Sequence, residues 1–468
     1  MRHNRKIRIC LGIASVCAAI FGYGLANSGS TTAPASVQGD SDESRELVLG
    51  EAKKSEKKDK KEQSVIFNDP FIQNKWGLER TNAARAWEVT QGSKDIIVAV
   101  IDTGVDINHK DLSENLWVNN GETGKDSRGR DKATNGVDDD GNGYVDDVHG
   151  WNFVHSSPTL TDNHGHGTHI AGIIGARGGN GFGISGVAPN VSLMILKYYD
   201  PKSSNSNNLK NTIEAIKYAV KMKANIINYS GGGTDYSAEE FAAVKEAEKA
   251  GVLFVAAAGN ERSNSDESGK HYYPADYDLA NIISVTAVNK EETKVLASSN
   301  YGVRTVDLAA PGENIYSALP GNSFGMMTGT SQATAFVSGV AALIMAHNRE
   351  FDSSEVKRYI LRNGDEYTSL LSKTGTARLL NSYKALTSLD KGVGLSGVMA
   401  TNTSTVGKDA FSSSQDIRDP KLNTSALNAN ADGGEEPAEA FAMFGKEFLK
   451  AIGKSRVDPT TNDEIRRR

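Results

Sequence analysis

Continuous apolar, β-branched runs punctuate the middle of the chain: Asp95 to Asp102, Val191 to Leu196, Ala224 to Asn228, Val252 to Ala257 and Ile282 to Val288. Such runs read as strands buried on both faces of a parallel sheet. Between several of them, apolar residues recur at helical spacing, as in Leu209 to Met222 and Ala238 to Ala250. Strand and helix in alternation predict an α/β fold, an open, mostly parallel sheet with helices on both faces. The segment from Met327 to Met345 has small and apolar residues on all sides and almost no charge, which predicts a helix inside the core. Thr328, Thr330 and Ser331 stand at its mouth, and taken alone they read as helix caps. The other reading is a nucleophile at a helix N-terminus, where developing negative charge is favoured.

The globular pattern occupies residues 67–388 of 468. Residues 1–26 begin with Arg2, Arg5, Lys6 and Arg8, continue as an apolar run and end in Gly24-Leu25-Ala26, the pattern of an export signal. The run also has the length of a membrane anchor. The expected location is therefore outside the cytoplasm, secreted or periplasmic, with membrane attachment if the segment stays uncleaved. Residues 27–66 are a charged linker, 389–435 a Ser/Asn/Gly-rich linker, and 436–468 a tail with Phe441, Phe444, Phe448, Leu449 and Ile452 on one helical face. Cys10 and Cys17 both fall in the leader, so a cleaved chain contains no disulfide. A hydrophobic content of 38% supplies a sizeable core, and a net charge of −6 argues against a nucleic-acid partner. A monomer is expected.

Asp102 closes an apolar strand in Val100-Ile101-Asp102-Thr103-Gly104. A half-buried carboxylate there needs a dedicated donor, and functional groups of parallel sheets gather at the carboxyl ends of strands. Asp162, His164, His166 and His169 supply histidines among glycines, at spacings that also resemble a zinc hydrolase. A zinc site requires neither Ser331 at a buried helix start nor Asn260, whose amide emerges after a buried strand and can donate to an oxyanion. Asp102, His166, Asn260 and Ser331 together offer the acid, base, oxyanion donor and nucleophile of acyl transfer.

At this point the chain resembles the subtilisin-like serine peptidases. The matching motifs are Val100-Ile101-Asp102-Thr103-Gly104, His166-Gly167-Thr168-His169-Ile170-Ala171-Gly172, Ala257-Ala258-Gly259-Asn260 and Gly329-Thr330-Ser331-Gln332-Ala333-Thr334, in the family's Asp, His, Ser order. The resemblance implies a subtilisin-like fold and a serine endopeptidase acting on polypeptides. Ser331 would attack the scissile carbonyl, His166 would take and return the proton, Asp102 would orient the imidazole, and Asn260 with the Ser331 N–H would hold the oxyanion. It implies a structural role for His169 and leaves His164 without one. It also implies substrate pairing along Ser230, Gly231 and Gly232, with Ala257, Ala258 and Gly259 as a second pocket wall. Tyr272 falls near the pocket floor and Gly231 replaces a larger apolar residue, so a pocket too shallow for large aromatics is expected. After the serine, Gln332-Ala333-Thr334-Ala335-Phe336 departs from the family's Met-Ala-Thr-Pro-His. If that change disabled the nucleophile the chain would be a binding scaffold, which fluorophosphonate labelling of Ser331 would distinguish.

The linker ahead of residue 67 does not read as the folding propeptide that the resemblance implies, so either bound ions or the C-terminal extension is expected to aid folding, and ions are the more testable option. Between Asp138 and Asp147, oxygens fall at alternate positions of a glycine-containing loop: Asp138, Asp140, Asn142 and Asp146 match EF-hand positions, with His149 in place of the closing glutamate. The expected structural Ca²⁺ ligands are Asp138, Asp140, Asn142, Tyr144 and Asp146. Resemblance adds a second set: Asp69, Asp111 and Asn180.

Overall fold

The computed structural model describes residues 67–388 apart from 205 and 292. The expected leader, both linkers and the tail helix lie outside the described residues. Among the described residues, no helix is long and apolar enough to cross a membrane.

The strands are β1 (Gly92–Asp102), β2 (Gly150–Asn152), β3 (Asn190–Lys197), β4 (Ile226–Tyr229), β5 (Leu253–Ala257), β6 (Ile282–Val288), β7 (Leu308–Pro311), β8 (Ile315–Leu319), β9 (Ser323–Met327), β10 (Asp365–Glu366) and β11 (Arg378–Leu379). The helices are α1 (Trp76–Arg80), α2 (Ala83–Ala86), α3 (His166–Gly175), α4 (Asn208–Lys221), α5 (Ala238–Lys249), α6 (Thr330–His347) and α7 (Ser353–Arg362). One sheet runs β10-β11-β7-β6-β5-β4-β1-β3-β2, and β8 and β9 form a separate hairpin. Within the large sheet only β10 and β11 pair antiparallel.

The twofold periodicity of β1 divides the core. Val98 and Val100 pack on one face with Ile170 and Ile174 of α3 and Val337 and Val340 of α6, while Ala99 and Ile101 face Ile216 of α4 and Val244 of α5. Helix α6 is buried at every residue from Thr330 to Met345, which explains its apolar circumference. Within the described residues the predicted strands and helices form, with ends shifted by at most three residues. At the start of the core helix, however, Met327 belongs to β9 and the helix begins at Thr330.

Candidate active site

Strand β1 ends at Asp102, which is buried. Its Oδ1 accepts from the Thr103 N–H at 2.8 Å. Helix α3 begins at His166, and its entry is organised by Asp162, which accepts from the Gly165 N–H at 2.7 Å, the Thr168 N–H at 2.9 Å and the Thr103 hydroxyl at 2.8 Å. The Thr103 hydroxyl in turn accepts from the Gly167 N–H at 2.9 Å, so β1 and the first turn of α3 are bolted together. Consequently His166 Nδ1 lies 2.8 Å from Asp102 Oδ1 and 3.0 Å from Oδ2. A carboxylate only accepts, so Nδ1 carries the proton and Nε2 is the basic nitrogen. Burial works against the charged imidazole, but the Asp102 carboxylate and its hydrogen bond hold His166 above the ordinary histidine range.

The expected caps do not cap α6. Gly329 is the N-cap, and no side chain of its own serves; Thr328 Oγ1 instead accepts from the Asn314 N–H at 2.8 Å. The cap comes from another segment: Asn260 Oδ1 accepts from the Thr330 N–H at 3.1 Å. With Oδ1 committed to that N–H, Nδ2 is left as a donor beside the helix mouth: a Cβ added at Gly329 would lie 3.5 Å from Oδ1 and 3.6 Å from Nδ2. Ser331 sits in the first turn, where backbone N–H groups have no intrahelical acceptor. Its Oγ donates to the Ser230 carbonyl at 3.1 Å, and the Ser230 hydroxyl donates to the Ser331 carbonyl at 3.2 Å. Tyr229 pairs with Ile101 across the β1–β4 ladder, and with Ala256 across β4–β5. Asp102, Ser230 and the Ala258-Gly259-Asn260 turn therefore leave the carboxyl edge of three adjacent strands, with neighbouring strands about 4.8 Å apart.

Between the turns after β4 and β5 stands the buried ring of Tyr272. A Cβ added at Gly232 would lie 2.5 Å from its Cε1, and one at Gly259 2.8 Å from its Cγ. The ring thus spans the gap between the two expected walls. At Gly231 a Cβ would lie 2.4 Å from the Tyr198 hydroxyl, so that aromatic occupies the space a larger residue would need.

Residues 93–386 match the Subtilase family. The chain belongs to the subtilase family. It is similar to Subtilisin-like protease 1 of Plasmodium berghei (strain Anka), 32% identical over 342 residues, which cover 68% of this chain and 55% of the relative. It is also similar to the Major intracellular serine protease of Bacillus subtilis (strain 168), 36% identical over 291 residues, covering 61% of this chain and 81% of the relative. Similarity to the Thermophilic serine proteinase of Bacillus sp. (strain AK1) is 33% over 324 residues, covering 68% and 69% of the two chains. The chain spans about half the length of the Plasmodium relatives it matches, 55% and 48% for the P. berghei and P. vivax proteins.

In this subtilase the three histidines of the zinc-like spacing have separate settings, the His164 ring standing edge-on to His166 with centroids 6.1 Å apart. His166 serves Asp102, and His169 Nε2 lies 2.9 Å from the Ile315 carbonyl and 3.2 Å from that of Gly325. Burial drives His169 down to about 3, so it is a neutral donor tying α3 to the β8–β9 hairpin. Asp162 spends both oxygens on the protein donors already described.

The acidic loop brings two of its expected ligands, Asp138 and Asp140, together with Glu122, their oxygens within 4.8 Å of one another. Asn142 directs Oδ1 to the Tyr144 N–H at 2.7 Å and Nδ2 to Asp147 at 2.9 Å. Asp146, in the left-handed region, turns its carboxylate to the Gly136 N–H at 3.2 Å, and the Tyr144 ring packs edge-on against Trp151 and Tyr218. His149 Nδ1 takes the Trp117 carbonyl at 2.8 Å. A 3-10 turn at Asn120–Glu122 packs beside the loop. Glu122, which the sequence reading missed, is fully buried. Its Oε1 accepts from the Asp139 N–H at 2.7 Å, while Oε2 is buried without a partner. Burial, with Asp147 and Asp140 close by, raises its carboxyl above the ordinary range. An orphaned carboxylate oxygen beside two further carboxylates fits a hard cation with oxygen ligands.

Asp69, Asp111 and Asn180 also meet, but around protein donors. Asp69 accepts from the Gly179 N–H at 2.9 Å, and Asp111 from the Ile184 N–H at 2.8 Å and the Asn180 amide at 3.0 Å. Buried Lys75 adds its own positive charge to this cluster, brought down to about 7 by burial against the pull of Asp111 and Asp69.

Proposed function

We propose that this subtilase is a serine endopeptidase. Ser331 Oγ attacks the scissile carbonyl as His166 Nε2 takes its proton; the same imidazolium then protonates the leaving amine, and water hydrolyses the acyl-enzyme by the reverse transfer. For this the Ser331 hydroxyl rotates from the Ser230 carbonyl toward the imidazole. Asp102 fixes the ring and stabilises its cation, while Asn260 Nδ2 and the Ser331 N–H receive the oxyanion. The substrate strand lies along Ser230, Gly231 and Gly232, with Ala257, Ala258 and Gly259 opposite and Tyr272 as a shallow floor.

The observation that carries this reading is the 2.8 Å Asp102–His166 bond set beside a helix-mouth serine at the same sheet edge. Its test is fluorophosphonate labelling and peptide cleavage by the full chain, with Ser331→Ala and His166→Ala as controls. Labelling lost in both variants supports it; unlabelled wild type that cleaves no peptide sinks it.

The finer reading is an exported enzyme stabilised by calcium. Export rests on the basic and apolar pattern of residues 1–26. Calcium is assigned to Glu122, Asp138 and Asp140, supported by the orphaned Glu122 Oε2. A bound ion there would neutralise carboxylates that otherwise repel one another and so lock the loop.

A further inference from the structure

Immediately behind Gly232 and Gly233 lies a cavity whose wall includes Tyr198, Asn208, Thr212, Tyr229, Asp235 and Glu240. No lysine, arginine or histidine lines it. Its open polar atoms are acceptors on Glu240 and Asn208, beside the unpartnered hydroxyl of Tyr198. Glu240, in the first turn of α5, is 4% exposed and receives one bond, from the Tyr277 hydroxyl to Oε2 at 2.8 Å. Its Oε1 has no protein donor. Asn208, at the start of α4 and likewise 4% exposed, keeps Oδ1 buried without a partner. Thr212 and Tyr229 satisfy each other across 3.2 Å, and Asp235 stands exposed at the mouth. Buried acceptors left open are costly unless a donor arrives.

We propose that this cavity is a specificity subsite that takes the ammonium group of a substrate lysine, received by Glu240 Oε1 and Asn208 Oδ1 with Asp235 at the entrance. The inference rests on the peptidase reading above. Three features select the ligand. The ammonium is a compact group with three donors, matching convergent acceptors, whereas guanidinium is a broad planar fork. The cavity offers about 30 Å³ to the centre of a water-sized group, and one water needs roughly 10–15 Å³ on that measure, so a terminal ammonium fits. The approach passes over Gly232 and Gly233, which carry no side chain to obstruct a four-carbon stem. Burial also pushes the Glu240 carboxyl up to about 7, as expected of an acid that lacks a cationic partner.

The subsite can be placed along the substrate. Ser331 Oγ touches the Ser230 carbonyl, and an extended strand advances about 3.3 Å per residue. The cavity two to three residues farther on faces the third or fourth residue ahead of the scissile bond.

The test is a set of internally quenched peptides, identical except for lysine, arginine, norleucine or glutamate at each of the four positions before the cleaved bond. The full chain should cleave the lysine peptide with kcat/KM at least about tenfold above norleucine at the third or fourth position, the scale of a charge-assisted hydrogen bond. Glu240→Gln should bring that ratio close to one, and Asn208→Ala, which keeps the acid, should reduce it partway. The two substitutions act at different elements, and the wild-type ratio alone already decides against the proposal if either fails to fold. Equal rates for lysine and norleucine, arginine preferred over lysine, or an undiminished ratio in Glu240→Gln overturns the subsite while leaving the peptidase reading standing. Failure to cleave any peptide, with Ser331 unlabelled by fluorophosphonate, overturns both.

Discussion

His166 Nδ1 donates to Asp102 Oδ1 across 2.8 Å while the Thr103 N–H holds that same oxygen at 2.8 Å. The carboxylate is thereby fixed by its own chain before it fixes the imidazole. Asp102→Asn presents an amide that can donate to Nδ1, favouring the tautomer in which Nε2 carries the proton. A fall in kcat of about 10⁴-fold with little change in KM is expected in steady-state peptide assays.

The pH dependence follows from the raised His166 value. Only the neutral imidazole accepts the serine proton, so activity should fall as pH drops through a value above the ordinary one of about 6.5. Stability has the opposite sign. A histidine raised on folding contributes stability that is complete below about 6.5 and lost as pH rises through the folded value. NMR titration of the His166 ring should give a midpoint above 6.5 in wild type and a lower one in Asp102→Asn, where only the more distant Asp162 charge still opposes burial.

Asn260 has two separable tasks, since Oδ1 caps α6 and Nδ2 is left to donate. Asn260→Asp keeps the cap and removes the donor: kcat should drop about 10²–10³-fold with the melting temperature nearly preserved. Asn260→Ala should lose both, with an added stability cost of roughly 0.5–2 kcal/mol by denaturant titration.

Calcium should raise the melting temperature, and chelation should reverse the rise. At about a hundredfold excess over Kd the gain is roughly 2.7 kcal/mol. Glu122→Gln should abolish most of that response, whereas Asp146→Asn, whose carboxylate is committed to Gly136, should retain it. Isothermal titration of both variants checks the assignment; equal loss in the two would restore the EF-hand-like set.

Tyr272 closes the space between Gly232 and Gly259. Wild type should therefore cleave after small side chains in preference to Phe or Tyr. Tyr272→Ala should reverse that order in a peptide library, at a stability cost of roughly 3–5 kcal/mol for the buried ring.

The sheet and its paired acid and base were legible because buried strands announce themselves as β-branched runs and because Asp102 ends one of them. The short strands β2, β10 and β11 were not: two or three residues carry no periodicity. Helix α7 had a readable start in the Asp352–Glu355 capping box, a signal the hydrophobic pattern alone passes over. The cap of α6 could not be read locally, since it comes from Asn260, far away in sequence. Of the proposed cation site, alternating oxygens announced Asp138 and Asp140, but Glu122 gave no local sign; Asn142 and Asp146 bond neighbouring backbone N–H groups in the structure.

Strand β1 lies inside the sheet, between β3 and β4, although it comes first in the chain. Asp102 therefore has its setting only where β1 is paired on both sides, with Lys197 of β3 on one flank and β4 on the other. Ser331 lies more than two hundred residues further along, on a helix packed against the same strand. The grouping of acid, base and serine is thus a property of the closed sheet, and a fragment that stops short of α6 lacks it.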